Sequence, residues 1–252
     1  MSFRSRDPGV SRFAVPTAGE LVKLLDESAF RGDLIFHGGD LSPQTLLAAY
    51  SSGLFPMPLD GNHLGWFCPA QRGVFLTGAS LNPEVPVRVS RSLKKSMARF
   101  TYSMNLAFEE VITGCANPER SGSWITTEFI SAYLELHELG WAHSFEVWSQ
   151  DGVVAKLVGG LYGVAIGGLF AGESMFHNVT DASKAALATL ASKMAEQGGI
   201  LIDTQWNTDH LASLGATTMP RIEYLNLLDN VTSMPLPDMF EKSYAGPISM
   251  GR

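Results

Sequence analysis

A chain of 252 residues with 45% hydrophobic and 17% charged residues can bury a core, which excludes an intrinsically disordered protein. Its net charge of −7 argues against general nucleic-acid binding, although a local basic patch could still contact RNA. The two cysteines and six histidines are scattered and indicate neither structural zinc nor a redox pair. Without an apolar membrane span or a signal core, we expect a cytoplasmic protein.

The first part of the chain is predicted to be rich in loops, with short helices. An amphipathic pattern predicts a helix over residues 18–28. Ser42 followed by Pro43 predicts the start of a second helix, which Gly53 ends. Residues 54–58 are predicted to form an apolar loop, because the prolines at 56 and 58 exclude a helix or a central strand. Regular alternation begins after it, so a domain boundary is expected between residues 70 and 80.

The densest positive charge lies between Arg88 and Arg99. A helix that begins near Ser92 would place Lys95 and Arg99 four residues apart on one face. Such a pattern is typical of an ordinary solvated helix face, and a phosphate-binding strip is the alternative.

Regular elements follow from residue 106 onward. Helices are predicted over residues 106–115 and 127–139, strands over 142–148, 153–161 and 165–173, a helix over 184–197, a strand over 200–205, and helices over 209–214 and 221–229. The three successive strands, with a turn signal at Gln150-Asp151-Gly152, predict a meander. The tail from Met234 is expected to be extended or loosely packed. This order predicts an α+β layer around a mixed sheet.

Two carboxylates stand out in the apolar second half. Glu173 lies in the glycine-rich run at residues 159–176, where an unpaired charge is costly to bury. Asp203 and Gln205 follow three apolar residues and would share one face of a strand. The Gln205 amide could bridge the two carboxylates, which makes the three residues acid–base candidates. The alternative is a core hairpin with polar strand ends.

Other catalytic signatures are absent from the sequence. It contains no GxSxG nucleophile turn, no Walker loop and no GxGxxG that follows a strand. The predicted chemistry is therefore proton transfer and positioning, without a metal or a redox cofactor.

Eight segments of the chain resemble the leucyl/phenylalanyl-tRNA–protein transferases. They are GGDLSPQTLLAAYSSGLFP at 38–56, SRSLKK at 90–95, SWIT at 123–126, YLELHELGWAHSFEVW at 133–148, VGGLYGVAIGGLFAGESMF at 158–176, DASKAAL at 181–187, LIDTQ at 201–205 and HLASLGA at 210–216. The resemblance implies transfer of Leu or Phe, and less readily Met, from aminoacyl-tRNA to the N-terminal Arg or Lys of a protein. That protein would thereby be marked for degradation by the N-degron pathway.

The resemblance also implies an architecture. A GNAT-like acyltransferase domain, with a mixed sheet flanked by helices, would occupy residues 72–252. A small N-terminal α/β domain would occupy residues 1–71. No acyl-CoA or other cofactor is implied, and the chain lacks the Q/R-x-x-G-x-G/A loop with which GNAT enzymes bind CoA.

Individual roles are implied as well. Asp203 would be the catalytic carboxylate, Gln205 its partner in the attack of the acceptor amine, and Glu173 a group that holds amines. The apolar pocket for the transferred side chain would be lined by Leu161, Phe170, Met175, Leu187 and Leu190. Trp124 would lie near the terminal adenosine, and the tRNA phosphates would contact Arg91, Lys94, Lys95 and Arg99. No metal site is implied.

The sequence departs from the family pattern at several positions. Met57 stands where the family commonly has a Trp platform for the adenosine, and Trp66 or Phe67 could compensate. Leu161 is often Met in the family, and the turn around residues 150–154 is longer than usual. Neutral residues at 96 and 98 replace basic ones.

Two other functions fit the same residues. One is a GNAT-like enzyme that uses another acyl donor, which acyl-CoA binding would reveal. The other is a non-catalytic module that binds N-terminal Arg or Lys, or tRNA, without transfer.

Overall fold

The computed structural model describes residues 14–27, 32–77, 87–120, 124–150, 154–241 and 245–248. The helices are α1 (Ala18–Glu27), α2 (Pro43–Ser51), α3 (Arg91–Met97), α4 (Phe108–Cys115), α5 (Thr127–Glu138), α6 (Ala182–Glu196), α7 (Asp209–Ser213), α8 (Arg221–Thr232) and α9 (Asp238–Glu241). The strands are β1 (Leu34–His37), β2 (Phe55–Leu59), β3 (His63–Phe67), β4 (Gln71–Leu76), β5 (Phe100–Met104), β6 (Ala142–Ser149), β7 (Lys156–Ile166), β8 (Leu169–His177), β9 (Leu201–Gln205), β10 (Thr217–Pro220) and β11 (Gly246–Ile248). The end of the first predicted helix, at Ser28, and the turn at Asp151-Gly152 lie outside the described residues.

The strands form two sheets. The smaller is antiparallel, in the order β1-β3-β2, and the larger runs β10-β4-β9-β8-β7-β6-β5-β11. Only β8 and β9 pair in parallel among the described strands. The predicted α+β class, the mixed sheet and the β6-β7-β8 meander are therefore confirmed. The loop predicted at residues 54–58 was wrong, because residues 55–58 belong to β2. Its two prolines are tolerated since β2 lies at an edge of its sheet.

Helices cover both faces of the larger sheet. On one face α4, α5 and α8 contribute to a core that includes Val111, Tyr133 and Leu228. On the other face α6 contributes Leu187 and Leu190 to a second core. The strands between them are buried on both faces, which explains why their sequences are nearly continuous apolar runs.

The predicted turn within the meander was misplaced. We expected the second strand of the meander to end near Leu161, but β7 continues to Ile166 and the turn falls at Gly167, whose φ is +54°. The glycines before it serve close packing within the sheet. A Cβ on Gly163 would lie 2.2 Å from the carbonyl oxygen of Ala171, so the strand tolerates no side chain there.

The predicted basic helix is shorter than expected. The Ser90 hydroxyl accepts a hydrogen bond from the Leu93 amide at 3.1 Å and caps α3, which ends at Met97. Lys95 and Arg99 therefore do not share a helix face, and that prediction was wrong. The reason is the buried Phe100, which begins β5 and fixes the chain in the sheet.

The tail after Met234 is also more ordered than predicted. It forms α9 and then β11, which pairs antiparallel with β5 at the edge of the larger sheet. Phe240 is fully buried and stacks on Phe170, with the ring centroids 5.7 Å apart. The expectation of a loose tail was wrong because a single aromatic side chain anchors the segment in the core.

An opening between β8 and β9 creates the site. These strands pair only from Leu169 to Ala171 in β8, and their later residues are not paired with each other within the described chain. On the other edge of β8, Tyr162 pairs with Ser174 and Gly163 with Gly172, so Glu173 is an extra residue in a β-bulge. Bulges often re-aim a side chain beside an active site, and this one turns Glu173 into the opening.

Candidate active site

A cavity of about 140 Å³ lies in the opening between β8 and β9. Its apolar lining is Leu161, Phe170, Met175, Leu187, Leu190, Ile202 and Leu211. The structure thus brings together all five side chains that were expected to form an apolar pocket. A cavity of roughly 150 Å³ accommodates a benzene-sized group, so this one has the size for one Phe or Leu side chain.

Glu173 is held at the polar end of the cavity by two tyrosines. Its carboxylate accepts hydrogen bonds from Tyr50 of α2 at 2.6 Å and from Tyr133 of α5 at 2.9 Å, and the two hydroxyls also contact each other. Burial raises the pKa of Glu173 to about 7, against the opposing effect of the two hydroxyls. A carboxyl group with this pKa can exchange a proton with an amine at neutral pH.

The tyrosines were missed by sequence reasoning. Tyr50 and Tyr133 are buried and lie 83 residues apart in the chain, so no local pattern connects them. Burial and the neighbouring Glu173 raise the pKa of both phenols, which keeps them protonated as donors. The available signal was that Tyr50 lies in the family-like segment at residues 38–56 and that Tyr133 begins the one at residues 133–148.

Asp203 lies behind the cavity and does not line it. Its Oδ1 accepts hydrogen bonds from Arg72 Nε at 2.7 Å and from the backbone amide of Gln205 at 2.9 Å. Its Oδ2 accepts from Arg72 Nη2 at 2.5 Å and from the Tyr224 hydroxyl at 2.9 Å. Asp203 and Arg72 each have a relative exposure of 1%, so this ion pair is fully buried. Arg72 was not identified from the sequence.

Gln205 reaches the cavity from an unusual backbone conformation. Its φ is +59°, in the left-handed region, although it is not a glycine. This conformation turns its side chain into the cavity, whereas Asp203 points toward Arg72 and Tyr224. The predicted common face was therefore wrong.

The predicted amide bridge was wrong as well. The Gln205 backbone amide, and not its side chain, contacts Asp203, while Glu173 is bonded to the tyrosines. The Gln205 Nε2 atom is buried and has no hydrogen-bond partner among the described residues.

The aromatic side chains near the site differ in exposure. Trp124 does not line the cavity and packs edge-to-face on Phe129 at 5.2 Å between ring centroids. Trp66 is fully buried and donates to the Gly38 carbonyl at 2.9 Å, so it is not a stacking platform. Phe67 packs at the edge of Trp206, a half-exposed residue directly after Gln205.

The predicted basic residues form an exposed surface. Arg91, Lys94, Lys95 and Arg99 are exposed, and none takes part in an ion pair within the described chain. The helix α3, which carries Arg91, Lys94 and Lys95, packs on the start of α6, where Ser96 donates to Asp181 at 2.9 Å. Because α6 also lines the cavity, the basic surface and the cavity share one structural element.

Within the ranges that the structure describes, no helix is long and apolar enough to cross a membrane. No group of three or more His, Cys, Asp or Glu side chains is placed there to hold a metal ion.

Two family descriptions match this chain. Residues 81–229 match the leucyl/phenylalanyl-tRNA protein transferase family, and residues 39–70 match the N-terminal domain of the same enzymes. A transferase of Shewanella woodyi with that name is 47% identical over 207 residues, which cover 81% of this chain and 83% of the relative. Those of Shigella dysenteriae and Escherichia coli are 47% identical over 209 residues, or 82% of this chain and 85% of each relative.

These matches define the protein as an aminoacyltransferase. More particularly, the chain belongs to the leucyl/phenylalanyl-tRNA–protein transferase family.

Solved structures are more distant. A structure of L-PGS from Bacillus licheniformis is 11% identical with a TM-score of 0.35, covering 68% of this chain and 55% of that one. A conserved protein of unknown function from Bacteroides thetaiotaomicron is 12% identical with a TM-score of 0.38. The match covers 87% of this chain and 73% of that one. TM-scores this low do not establish a common fold.

Proposed function

We propose that this enzyme transfers Leu or Phe, and less readily Met, from aminoacyl-tRNA to the N-terminal Arg or Lys of acceptor proteins. The new N-terminal residue would mark the acceptor for degradation by the N-degron pathway, in the cytoplasm. The observation that carries the proposal is the apolar cavity of about 140 Å³ with Glu173 at its polar end. The apolar lining would select an apolar side chain, and Glu173 would exchange a proton with the amine in the same opening.

The cavity would select the transferred residue by desolvation and size. Leu161, Phe170 and Met175 offer no partner for a charge, so a charged side chain would lose its hydration without compensation. Apolar side chains that are unbranched at Cβ, such as those of Leu and Phe, would fit a space of this volume.

The proposed reaction needs no covalent enzyme intermediate. The acceptor amine attacks the carbonyl carbon of the aminoacyl ester, a C–N bond forms, and the bond to the ribose oxygen breaks. Glu173 would take a proton from the amine, because its pKa of about 7 suits that transfer. The leaving ribose oxygen is protonated in turn. The Gln205 side-chain amide would help to position the reacting groups, because its Nε2 atom is a donor without a partner among the described residues.

Asp203 would act through Gln205 and not by direct contact. Its carboxylate is buried and already bonded to four donors. Its contribution to catalysis would be to fix the position of Gln205, whose backbone amide it binds.

The tRNA would lie across the exposed basic surface. Arg91, Lys94, Lys95 and Arg99 would contact backbone phosphates, and Trp124 would lie near the terminal adenosine. The freedom of these cations from ion pairs in the described chain supports this assignment.

We further propose a GNAT-like catalytic domain over residues 72–252 and a small N-terminal domain over residues 1–71. The parallel pair β8 and β9, which separates to form the cavity, supports the first assignment. The second is supported by the separate β1-β3-β2 sheet, which ends before β4 joins the larger sheet at Gln71.

The decisive experiment offers charged Leu-tRNA, Phe-tRNA and Met-tRNA together with peptides that begin with Arg, Lys or Asp. Transfer of Leu and Phe to the Arg and Lys peptides, and not to the Asp peptide, is expected. Absence of transfer to every peptide would refute the proposal. Binding of acyl-CoA, or binding of peptide without transfer, would favour the two rival functions.

A further inference from the structure

The buried pair of Arg72 and Asp203 has a geometry that a simple ion pair does not need. An ionised carboxylate offers about four lone-pair directions. All four are used here, by Nε and Nη2 of Arg72, the Tyr224 hydroxyl and the Gln205 amide. A proton from a substrate amine would have to displace one of these donors. Asp203 is therefore suited to holding groups in place.

We propose that Arg72 is a positioning residue of the transfer reaction: through Asp203 it fixes the left-handed turn at Gln205 and so holds the Gln205 side-chain amide in the cavity. The inference rests on the function proposed above. It assigns to Arg72 a task that neither the family matches nor the sequence motifs provide.

Arg72 is itself held so that only a guanidinium fits. Its third nitrogen, Nη1, donates to the Gly53 carbonyl at 3.0 Å. Its guanidinium carbon lies 4.8 Å from the Phe55 ring centroid and 4.5 Å from that of Tyr224. A planar fork between two rings presents two parallel N–H groups to one carboxylate, which an ammonium group cannot do.

The link from Asp203 to Gln205 passes through the backbone. A residue other than glycine is disfavoured in the left-handed region, so the φ of +59° at Gln205 needs a compensating contact. The hydrogen bond that the Gln205 backbone amide donates to Asp203 Oδ1, at 2.9 Å, supplies this contact. On the other side the chain is confined by Gly73, where a Cβ would lie 2.8 Å from the Asn207 amide nitrogen.

The left-handed turn at Gln205 determines where the end of the Gln205 side chain lies. Gln205 is only 8% exposed, yet its Nε2 atom has no partner among the described residues. A buried donor that faces a cavity without a partner is an uncommon arrangement in a folded protein. The atom is available for a ligand, and its direction depends on the turn that Arg72 and Asp203 maintain.

The test compares Arg72→Lys with Arg221→Lys in the full-length enzyme. Arg221 is a matched control because it is also buried, bonds a backbone carbonyl at 2.7 Å and faces one acid, Asp33, at 3.6 Å. A displacement of about 1 Å can lower a rate about 100-fold. We expect Arg72→Lys to lower kcat about 100-fold with KM within threefold, and Arg221→Lys to leave both within threefold.

A milder variant keeps the test decisive if Arg72→Lys does not fold. Tyr224→Phe removes one donor from Asp203 and leaves the guanidinium pair, so kcat should fall about threefold to tenfold while the fold is retained. In both variants the Gln205 backbone amide should lose hydrogen-exchange protection, followed by NMR. That signal can be measured even if the wild-type enzyme transfers nothing, which separates this inference from the proposed function.

A third variant asks which carboxylate accepts the proton. Asp203→Asn should lower kcat but keep the acidic limb of the pH–rate profile, whereas Glu173→Gln should remove that limb. Wild-type kcat and unchanged Gln205 protection in Tyr224→Phe would overturn the inference. So would loss of the acidic limb in Asp203→Asn, since Asp203 would then be the base.

Discussion

Replacing Glu173 with glutamine should make the protein more stable and less active, and the gain in stability should depend on pH. Burial raises the pKa of Glu173 from 4.5 to about 7 in the folded chain. The unfolded chain therefore ionises this carboxyl more readily than the folded chain does. Glutamine fills the same volume beside Tyr50 and Tyr133 without a charge that must be desolvated.

The magnitude follows from the pKa difference. At about 1.4 kcal/mol per pKa unit, ionised Glu173 costs the folded state about 3 kcal/mol at a pH well above 7. Glutamine keeps one acceptor oxygen, so one tyrosine hydroxyl loses its partner at a cost of about 1 kcal/mol. We expect a net gain of about 2 kcal/mol at pH 8, which corresponds to roughly 4–8 °C in Tm for a chain of this size.

The difference in stability should reverse at the acid end. Below pH 4.5 the carboxyl is protonated in both states, so only the cost of the unpaired tyrosine hydroxyl remains and the variant should be less stable by about 1 kcal/mol. Between pH 4.5 and about 7 the folded wild type binds more protons than its unfolded chain, so its stability falls relative to the variant as pH rises. Above pH 7 the difference should be constant.

The assay is urea unfolding of both proteins at intervals from pH 4 to pH 8, with transfer activity measured in parallel. Other groups titrate equally in the two proteins, so the difference isolates Glu173. A general base contributes about 10²–10⁴-fold to a rate, and kcat should fall by that order. A stability difference that does not change with pH would refute the reasoning, as would a directly measured Glu173 pKa below 5.

Three further predictions concern other parts of the molecule. Leu190→Phe should fill part of the cavity and lower kcat/KM for Phe-tRNA about tenfold or more, with a smaller loss for Leu-tRNA; equal losses would show that the cavity does not select the side chain. Replacing Lys94 and Lys95 with glutamine should raise KM for aminoacyl-tRNA and reduce its salt slope by about 0.7–0.9 for each lost phosphate contact, whereas Lys193→Gln on α6 should do neither. Phe240→Ala should lower the free energy of unfolding by about 3–5 kcal/mol, measured in urea, because it leaves a cavity against Phe170; a loss under 1 kcal/mol would show that the tail is not part of the core.

Periodicity in the sequence located most of the elements between residues 106 and 229. The apolar runs and the glycine signals located the meander, the helix before β9 and the α+β class. They could not place the turn at Gly167, because the glycines that precede it serve close packing and not a change of direction. They also could not anticipate the order of the tail, which depends on where Phe240 inserts.

The sequence by itself determined the composition of the site. The apolar run with one carboxylate and the polar end of the strand at Asp203 and Gln205 marked the acid–base candidates, and the resemblance to the family implied the five apolar side chains that line the cavity. Only the tertiary structure decided which group can accept a proton. Arg72 and Asp203 are 131 residues apart, and Tyr50 and Glu173 are 123 apart. Because burial and pairing are set by such distant partners, one carboxylate is saturated with donors and the other has a pKa near neutrality.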